Sequence, residues 1–516
     1  MSDDQQPVID FLADPATHGG ARVKRIDTHA ASVFLTDKRA LKIKRAVRFP
    51  FLDFSTLDRR KAACDAEIEV NRLYAPQIYR GVVAITRGSD GHLAIGGQKG
   101  GNNAEAVEWA VEMARFDETK TLDHLADKGL VDTALADALG RAVAKAHAIV
   151  PVVKDAGFAG TLAEIIEQNH GELRAASDLF DPSEVDALTS ASRAALGRLR
   201  PLLDARERDG GVRRCHGDLH LGNIVLIDGA PVLFDAIEFN PALATIDVFY
   251  DLAFLLMDLI GRDLTTAANT VLNRYLAGTN RDSDLDALAA LPLFMSLRAA
   301  IRAKVTAARP NRDATMEQNA RNYFALARKL IAPAKPMLVA VGGLSGTGKS
   351  VLARALAAAI PPLPGAIHLR SDVMRKTLFG VAETERLPAS AYAPEVTAKV
   401  YAALAAQARR VLAAGHSAIV DAVFARQGER DEMARAAPGA PFHGLFLTAD
   451  LAVRVARVGV RTGDVSDAVA AVSRAQERYD LGALEWTEDD ASGTSDDTMR
   501  RALLITLPPR SGGEGG

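Results

Sequence analysis

The chain has 516 residues, of which 48% are hydrophobic and 25% are charged, and its formal net charge at pH 7 is −3. This length exceeds what one hydrophobic core holds, so two or three domains are expected, and the composition is that of folded globular protein. Because Lys and Arg are dispersed and nearly balanced by acids, the sequence lacks the basic footprint of a nucleic-acid or membrane surface, and we expect small molecules as partners.

Cysteine content and the chain start both favour a cytoplasmic protein. Cys64 and Cys215 are too few for a disulfide framework or a four-cysteine zinc site. The first residues are acidic and do not resemble a signal peptide. The most apolar later run, residues 248–260, is short and interrupted by Asp251 and Asp258, so it is not expected to cross a bilayer.

The N-terminal part of the chain shows the alternating pattern of short strands. It predicts a hairpin, a helix and two further strands, at residues 32–35 with 40–44, at 57–73 and at 78–95. Beyond residue 117 helical patterns predominate, interrupted by strand-like pieces at 224–227 and 232–234. We therefore predict a small β lobe followed by a larger α lobe.

A proline-rich stretch, residues 332–336, stops the preceding helix and marks a predicted domain boundary. Apolar strands alternating with helices follow it, at 337–341, 366–369, 417–420 and 442–447. This alternation predicts a parallel sheet wrapped by helices. The predicted protein is thus multidomain α/β, with domains at 1–332 and 333–510 and a disordered tail at 511–516.

The stretch from His216 to Asn223 reads His-Gly-Asp-Leu-His-Leu-Gly-Asn, and Asp235 follows at the end of a predicted strand. In kinase-type phosphoryl transfer an Asp accepts the proton of the substrate hydroxyl, while an Asn and a second Asp hold Mg2+ against the phosphates of ATP. Asp218, Asn223 and Asp235 occur in that order. The sequence therefore predicts a kinase site with Asp218 as the base and Asn223 and Asp235 as metal ligands.

This stretch resembles the catalytic loop of the aminoglycoside phosphotransferase family, and the similarity extends over the predicted first domain. It looks closest to an uncharacterised branch with Phe-Asp-Ala-Ile-Glu-Phe at the position of residues 234–239. The resemblance implies a two-lobed protein-kinase-like fold in which Lys42 binds the ATP phosphates and Glu67 orients it. Spacing alone does not separate Lys42 from Lys44, or Glu67 from Glu69.

Further residues of this domain have predicted supporting roles. Met113 is placed either at the linker between the lobes, where backbone groups of such kinases bind adenine, or in the core. Asp251 is predicted to support the catalytic loop, and His216 and His220 to shape it. Residues 26–32 stand where kinases carry a glycine-rich loop, which this chain lacks. No acidic surface for a polycation is recognisable, so an antibiotic substrate does not follow from the fold.

A second phosphate-handling signature, Gly-Leu-Ser-Gly-Thr-Gly-Lys-Ser, lies directly after an apolar strand and before a helix. Backbone N–H groups of such a loop and the helix N-terminus attract phosphates, the lysine reaches the β- and γ-phosphates, and the serine ligates Mg2+. The predicted ATP-binding residues are Gly343, Leu344, Ser345, Gly346, Thr347, Gly348, Lys349 and Ser350, the last also as a metal ligand.

Residues outside the loop complete the second predicted site. Asp421 ends a strand, where it either holds the Mg2+ shell or caps a helix. Asp372 is predicted to be the base for a substrate hydroxyl, with Arg375 binding an anionic part of the substrate. The alternative for these residues is helix capping or surface pairing. The segment with Arg457 and Arg461 resembles the lid of small P-loop kinases of the gluconate-kinase, chloramphenicol-phosphotransferase and zeta-toxin type. The resemblance implies that both arginines close on ATP; the alternative is a solvated basic helix face.

The two signatures together predict a bifunctional, ATP- and Mg2+-dependent phosphotransferase for small molecules, in which Asp218 and Asp372 activate different hydroxyls or successive ones on one metabolite. The whole chain resembles an uncharacterised family that joins an aminoglycoside phosphotransferase domain to an ATP-binding domain. One alternative is a single N-terminal kinase regulated by the C-terminal domain. Another is a polynucleotide 5′-kinase fusion, which the lack of a basic stripe disfavours. A protein substrate, including the chain itself, is a further alternative.

Overall fold

The computed structural model of the protein describes residues 5–49, 52–96, 105–459 and 470–507. The chain divides into two compact units, Met1–Leu162 with Leu203–Asp258, and Ala163–Leu202 with Leu259–Gly516. The predicted domain boundary at 332 lies inside the second unit and stays a prediction. Within the described ranges, no helix is both long and apolar enough to cross a membrane. The predicted tail at 511–516 lies outside the described residues.

Eight strands open the first unit: β1 (Lys24–Asp27), β2 (Ala31–Leu35), β3 (Arg39–Lys44), β4 (Arg48–Phe49), β5 (Leu52–Asp53), β6 (Tyr79–Arg87), β7 (Leu93–Ile95) and β8 (Glu105–Ala114). Strands β4 and β5 pair with each other, and the other six form an antiparallel sheet in the order β1-β2-β3-β8-β6-β7. Helix α1 (Gln6–Ala13) precedes the sheet. Helix α2 (Leu57–Asn71) lies between β5 and β6 and is N-capped by Thr56. The predicted hairpin, helix and two strands are confirmed, whereas β8 was not predicted.

Successive side chains of β3 point to opposite faces of this sheet, so the two faces carry different residues. Leu41 and Ile43 pack with Phe34, Val8 and other apolar residues on one side. Ala40 packs on the opposite side with Cys64 of α2. Since residues two apart share a face, Lys42 and Lys44 also point toward α2. The strand thus presents two ammonium groups to the helix that carries Glu67.

The rest of the first unit is mainly helical, with two short strand pairs. Its helices are α3 (Leu122–Asp127), α4 (Thr133–Ile149), α5 (Phe158–Ala175), α6 (Pro182–Arg208), α7 (Pro241–Ala244) and α8 (Val248–Gly261). Three of them, α5, α6 and α8, also have residues in the second unit. Its strands are β9 (Val212–Arg214), β10 (Ile224–Ile227), β11 (Ala230–Leu233) and β12 (Thr245–Asp247). The pairs are β9 with β12 and β10 with β11. The His-Gly-Asp stretch is therefore the loop between β9 and β10.

From residue 265 onward, the described part of the second unit contains a five-stranded sheet and eleven α-helices. Its strands are β13 (Leu338–Gly343), β14 (Ile367–Arg370), β15 (Ala418–Asp421), β16 (Phe442–Thr448) and β17 (Thr487–Asp490). Its helices are α9 (Thr265–Thr279), α10 (Asp282–Ala287), α11 (Leu291–Ala307), α12 (Ala314–Ile331), α13 (Lys349–Ala357), α14 (Ser371–Leu378), α15 (Pro394–Ala413), α16 (Gln427–Ala434), α17 (Leu451–Gly459), α18 (Ala470–Gln476) and α19 (Ser495–Thr506).

The sheet of the second unit has the order β14-β15-β13-β16-β17, and all four pairings are parallel. Every residue of the central strand β13 is buried. Val339 and Val341 pack with Leu352 and Leu356 of α13 and Leu445 of β16. The predicted parallel sheet wrapped by helices is confirmed, with β17 as one strand that was not predicted.

Helix α9 covers the outer edge of β14. The side-chain oxygen of Asn273 accepts a hydrogen bond from the His368 N–H at 2.7 Å, and its nitrogen donates to the Ala366 carbonyl at 3.1 Å. Asn269 donates to the same carbonyl at 3.0 Å. An asparagine amide offers one donor and one acceptor side, as a peptide group does, so it pairs with the strand in place of a neighbouring strand.

Candidate functional sites

Two aspartates of α8 accept hydrogen bonds from the loop between β9 and β10. Asp251, which is fully buried, accepts hydrogen bonds from the N–H groups of His216 and Gly217 at 3.1 and 2.9 Å. Asp258, two turns further along the helix, accepts one from the Leu221 N–H at 3.0 Å. A buried carboxylate with such partners is stable where it lies. The predicted supporting role of Asp251 is confirmed.

The two histidines of the loop shape it, as predicted. His216 is buried and its Nε2 lies 2.9 Å from the Phe234 carbonyl oxygen; burial lowers the pKa of its imidazole, so the neutral ring donates to that oxygen. His220 accepts a hydrogen bond from the Gly222 N–H through Nδ1 at 3.1 Å, and its Nε2 lies 3.4 Å from Asp218. His220 therefore lies against the predicted base without replacing it.

Asp218 and Asn223 form one unit at the two ends of the loop. The Asn223 side-chain nitrogen donates to the carboxylate of Asp218 at 2.9 Å and to its backbone carbonyl at 3.0 Å. The Asp218 side chain remains 41% exposed. Because the Asn223 nitrogen is engaged in this way, its carbonyl oxygen Oδ1 is the atom that can ligate a cation.

Asp235 lies just beyond β11 in a left-handed backbone conformation, with φ +59. Such a φ is uncommon outside glycine and is kept only where neighbours hold it. Here the Asp235 N–H donates to the Tyr79 hydroxyl at 3.1 Å, and the Ala236 N–H donates to Asn71 Oδ1 at 2.7 Å. Two side chains that no motif predicted thus fix the backbone of a candidate metal ligand.

Lys42 connects the sheet to this segment. Its Nζ lies 2.9 Å from Glu67 Oε1 and 2.8 Å from Asp235 Oδ1. Burial alone would lower the pKa of Lys42, but the carboxylates of Asp235 and Glu67 outweigh burial and raise the pKa well above its ordinary value. Lys42 is therefore charged, and it is the lysine that contacts a candidate metal ligand.

The neighbouring candidates occupy different places. Lys44 lies 2.5 Å from the other oxygen of Glu67 and also bonds Glu238, while Glu69 is exposed. Burial would raise the pKa of Glu67, but the two lysines overcome it and hold the pKa at about 2. The geometry thus separates Lys42 from Lys44 and Glu67 from Glu69, which spacing had left open.

Met113 occupies the core rather than a linker. It lies inside β8, opposite Ala40 of β3 and Tyr79 of β6, and it is buried in the cluster that includes Cys64. The strand ends at Ala114, one residue later. Of the two predicted positions for Met113, the core position is the one found.

The phosphate loop of the second unit joins β13 directly to α13. Gly343 and Gly346 have φ +139 and +88, and a Cβ at either would lie 2.5 Å from a backbone oxygen, that of Leu447 or Arg454. Both positions therefore require glycine. The loop ends at the N-terminus of α13, where exposed N–H groups and the helix dipole favour a bound anion. The predicted strand-loop-helix context is confirmed.

Side chains of two helices, α17 and α18, form hydrogen bonds with the backbone of this loop. Arg454 of α17 donates from Nε to the Ser345 carbonyl at 3.0 Å, and Gln476 of α18 accepts from the Ser345 N–H at 2.6 Å. Lys349 Nζ donates to the Leu344 carbonyl at 3.1 Å. Arg454 is buried and fixes the loop, a role that the arginine spacing alone did not reveal.

Asp421 is the last residue of β15 and is buried. Since α16 begins only at Gln427, Asp421 is not a helix cap, and that alternative is excluded. His368 Nε2 lies 2.7 Å from its carboxylate, and Arg370 lies 3.7 Å away. Burial would raise the pKa of Asp421, but the hydrogen bond from His368 and the nearby cations hold the pKa at about 2. A carboxylate stays ionised beside the phosphate loop.

Asp372 lies in the first turn of α14 and is half-buried. Arg375, one turn on, is buried; it donates to the Ala391 carbonyl at 2.6 Å, and its guanidinium lies 4.8 Å from the centre of the Tyr392 ring. The alternative of surface pairing for Arg375 is thus wrong, since these contacts hold the segment before α15. Its binding to substrate stays a prediction.

A cavity of about 480 Å³ adjoins the phosphate loop between α13 and α19. Arg457 lines it and donates to the Gly493 carbonyl at 3.0 Å. The other lining residues are mostly apolar: Thr347, Gly348, Val351, Leu352, Ala355, Leu447, Ala491, Ser495, Asp496, Thr498 and Met499. Arg461, the second predicted lid arginine, lies outside the described residues.

The fold and these two sites define an enzyme with a kinase-like N-terminal part and a P-loop C-terminal part. The model of the phosphotransferase enzyme family matches residues 28–291, and that of an AAA domain matches residues 338–480. Uncharacterised proteins of Mycobacterium tuberculosis and Mycobacterium bovis are 30% identical over 466 residues, 87% of this chain and 88% of theirs. The chain belongs to the phosphotransferase enzyme family.

Solved structures are similar to portions of the chain. A gluconokinase from Sinorhizobium meliloti 1021 covers 33% of this chain and 90% of its own, with 24% identity and a TM-score of 0.24. The GDP complex of aminoglycoside 2′-phosphotransferase-IIIa covers 63% of this chain and 98% of its own, with 14% identity and a TM-score of 0.39.

Proposed function

We propose that the chain is a bifunctional kinase that transfers phosphoryl groups from ATP to hydroxyl groups of small molecules, with one site in each part. The observation that carries the proposal is the convergence of Asp218, Asn223, Asp235, Lys42 and Glu67. Asp218 and Asn223 are in contact at 2.9 Å, and Lys42 lies 2.9 Å from Glu67 and 2.8 Å from Asp235. The Phe234 N–H donates to the Asn223 carbonyl at 3.0 Å and so joins the two groups.

At the first site each residue has a distinct task. The exposed carboxylate of Asp218 accepts the proton of the substrate hydroxyl, and Asn223 holds it in place. Lys42, oriented by Glu67, binds the ATP phosphates. The donor set fits Mg2+, since Asn223 Oδ1 and the Asp235 carboxylate are hard oxygen ligands. Bound Mg2+ would neutralise phosphate charge.

At the second site the phosphate loop would supply N–H groups and Lys349 for the phosphates, while Ser350 and the ionised Asp421 would hold Mg2+ and its waters. The adjoining cavity accepts the base of the nucleotide. Asp372 is the proposed base for a second hydroxyl, and Arg457 is the proposed lid arginine within the described chain. We also propose a cytoplasmic location, which two free buried cysteines suit.

The proposal is tested with wild type, Asp218→Ala and Lys349→Ala, each incubated with ATP, Mg2+ and a pooled library of metabolites and aminoglycosides. Mass spectrometry then identifies molecules that gain a phosphoryl group. We expect each substitution to lower a different product by about 100-fold or more. Lys399→Ala, which removes an exposed lysine of α15, is the control and should leave both products.

Other outcomes favour the alternatives. If Lys349→Ala only alters the rate of the Asp218-dependent product, the C-terminal domain is regulatory and the chain holds one kinase. A 5′-hydroxyl oligonucleotide in the library tests the polynucleotide-kinase alternative. Intact-mass analysis of the enzyme tests phosphorylation of the chain itself.

A further inference from the structure

The first site contains a second ion pair beside the one formed by Lys42 and Glu67. Lys44 contacts Glu67 Oε2 at 2.5 Å and forms a hydrogen-bonded ion pair with Glu238. Glu67, Lys44 and Glu238 are 0%, 3% and 7% exposed. Glu67 therefore serves two ammonium groups, one through each oxygen. Neither the kinase motif nor the phosphate-lysine pairing requires Lys44 or Glu238.

Lys44 is enclosed in this cluster and does not reach the open part of the site. Its side chain is 3% exposed, and its ammonium lies 5.4 Å from the centre of the Phe54 ring. A buried ammonium needs a full counter-charge, because burial removes its hydration. Without Glu238, Glu67 would be the one anion in contact with Lys44 among the described residues.

Glu67 is shared between Lys42 and Lys44, and this sharing would affect the orientation of Lys42 once a nucleotide binds. Lys42 has two anionic partners, Glu67 and Asp235. If Lys42 turns to the ATP phosphates and Asp235 to Mg2+, Glu67 alone keeps Lys42 oriented. An uncompensated Lys44 would then compete for the same carboxylate.

We propose that Glu238 is a positioning residue that neutralises Lys44 and thereby keeps Glu67 available to orient Lys42. This inference rests on the proposed function of the first site as a nucleotide site. Glu238 also lies three residues after Asp235, so its ion pair with Lys44 ties the candidate metal-binding segment to β3. Glu238 thus acts through Lys44 and Glu67 and touches neither substrate nor metal.

The test measures binding of a non-hydrolysable ATP analogue with Mg2+ by calorimetry, in a Lys349→Ala background that silences the second site. Glu238→Gln should bind about tenfold more weakly than the background protein, since Lys44 then draws on Glu67. Lys44→Met/Glu238→Gln should return to within about threefold, because no excess charge remains. Lys61→Met/Asp65→Asn, which removes an exposed ion pair on the same helix α2, should bind as the background does.

Unfolding midpoints without nucleotide provide a second readout. Glu238→Gln should unfold at a lower temperature than the double variant, because it leaves a buried lysine with half a counter-charge. The double variant keeps the test decisive even if Glu238→Gln does not fold. Binding by Glu238→Gln within twofold of the background would overturn the inference.

A double variant that binds as weakly as Glu238→Gln would also overturn it, since Glu238 would then contact metal or nucleotide directly. The proposed function fails separately. It is refuted, and this inference with it, if the background protein shows no nucleotide binding that Asp235→Asn removes.

Discussion

His416 is a buried side chain whose protonation is linked to folding. Its Nε2 lies 2.9 Å from the Gly365 carbonyl oxygen, and burial lowers the pKa of the imidazole from 6.5 to about 4. The unfolded chain takes up a proton near pH 6.5, whereas the folded chain does so only near pH 4. Acid therefore favours unfolding over this interval. The stabilisation is complete above pH 6.5, and about 3 kcal/mol is lost as the pH falls to 4.

Denaturant unfolding between pH 7.5 and 4.5 measures this loss. In a Trp109→Phe background, Trp486 is the single tryptophan and reports on the second unit. His416→Gln can still donate to Gly365 but does not titrate, so its stability should vary less with pH. His92→Gln, at an exposed histidine, should keep the full dependence. Equal slopes in both variants would contradict the assignment.

Single residues also show why motifs identify only part of a site. The sequence predicted Asp218, Asn223 and Asp235 because their order is local to one stretch. It did not predict Glu238, Gln476 or His368 as partners, since each contact joins segments that only folding brings together. Lys42 and Lys44 share a strand face, so only contact with Asp235 separates them.

Among the elements, the covered edge of β14 makes a quantitative prediction. Asn273 forms two hydrogen bonds at this edge, and Asn273→Ala leaves the His368 N–H without its acceptor, while Asn269 still donates to the Ala366 carbonyl. We expect it to lower the free energy of unfolding of the second unit by about 2 kcal/mol. The same Trp486 assay measures this. Thr270→Ala, whose hydroxyl bonds only within α9, should have little effect; equal losses would contradict the edge role.

The two strands that the sequence did not predict, β8 and β17, share one cause. Each carries a buried acid that breaks the apolar alternation expected of a strand. Glu108 of β8 is paired with Arg60 of α2 at 2.9 Å, and Asp489 of β17 with Arg501 of α19 at 2.5 Å. A local hydrophobicity pattern includes the acid, but it does not include the arginine, distant in sequence, that makes burial of the acid possible.

At the scale of the whole molecule, the domain boundary predicted from the proline-rich stretch does not coincide with the boundary between the two compact units. The proline-rich stretch ends α12, yet α9 and α10 contact the strands and helices beyond it. Arg410 of α15, for example, forms a bidentate ion pair with Asp286 of α10 at 2.6 and 2.7 Å. Independent folding of residues 333–510 therefore stays a prediction that can be tested directly.

A protease site inserted between Ala332 and Pro333, in an exposed stretch, provides that test. After cleavage we expect the two pieces to co-elute in native size-exclusion chromatography and to separate only in denaturant. Asn269→Ala/Asn273→Ala should weaken their association, because it removes the hydrogen bonds to β14. Pieces that part spontaneously would instead support an independent C-terminal domain.

The asparagines of α9 also affect whether residues 333–510 could be encoded by a separate gene. A gene encoding only residues 333–510 would produce a sheet whose outer strand has open N–H and C=O groups, a template for pairing with other copies. A lineage that separated the two reading frames would first need another cover for that edge. We therefore expect genomes to keep the halves in one gene more strictly than shared chemistry alone would demand.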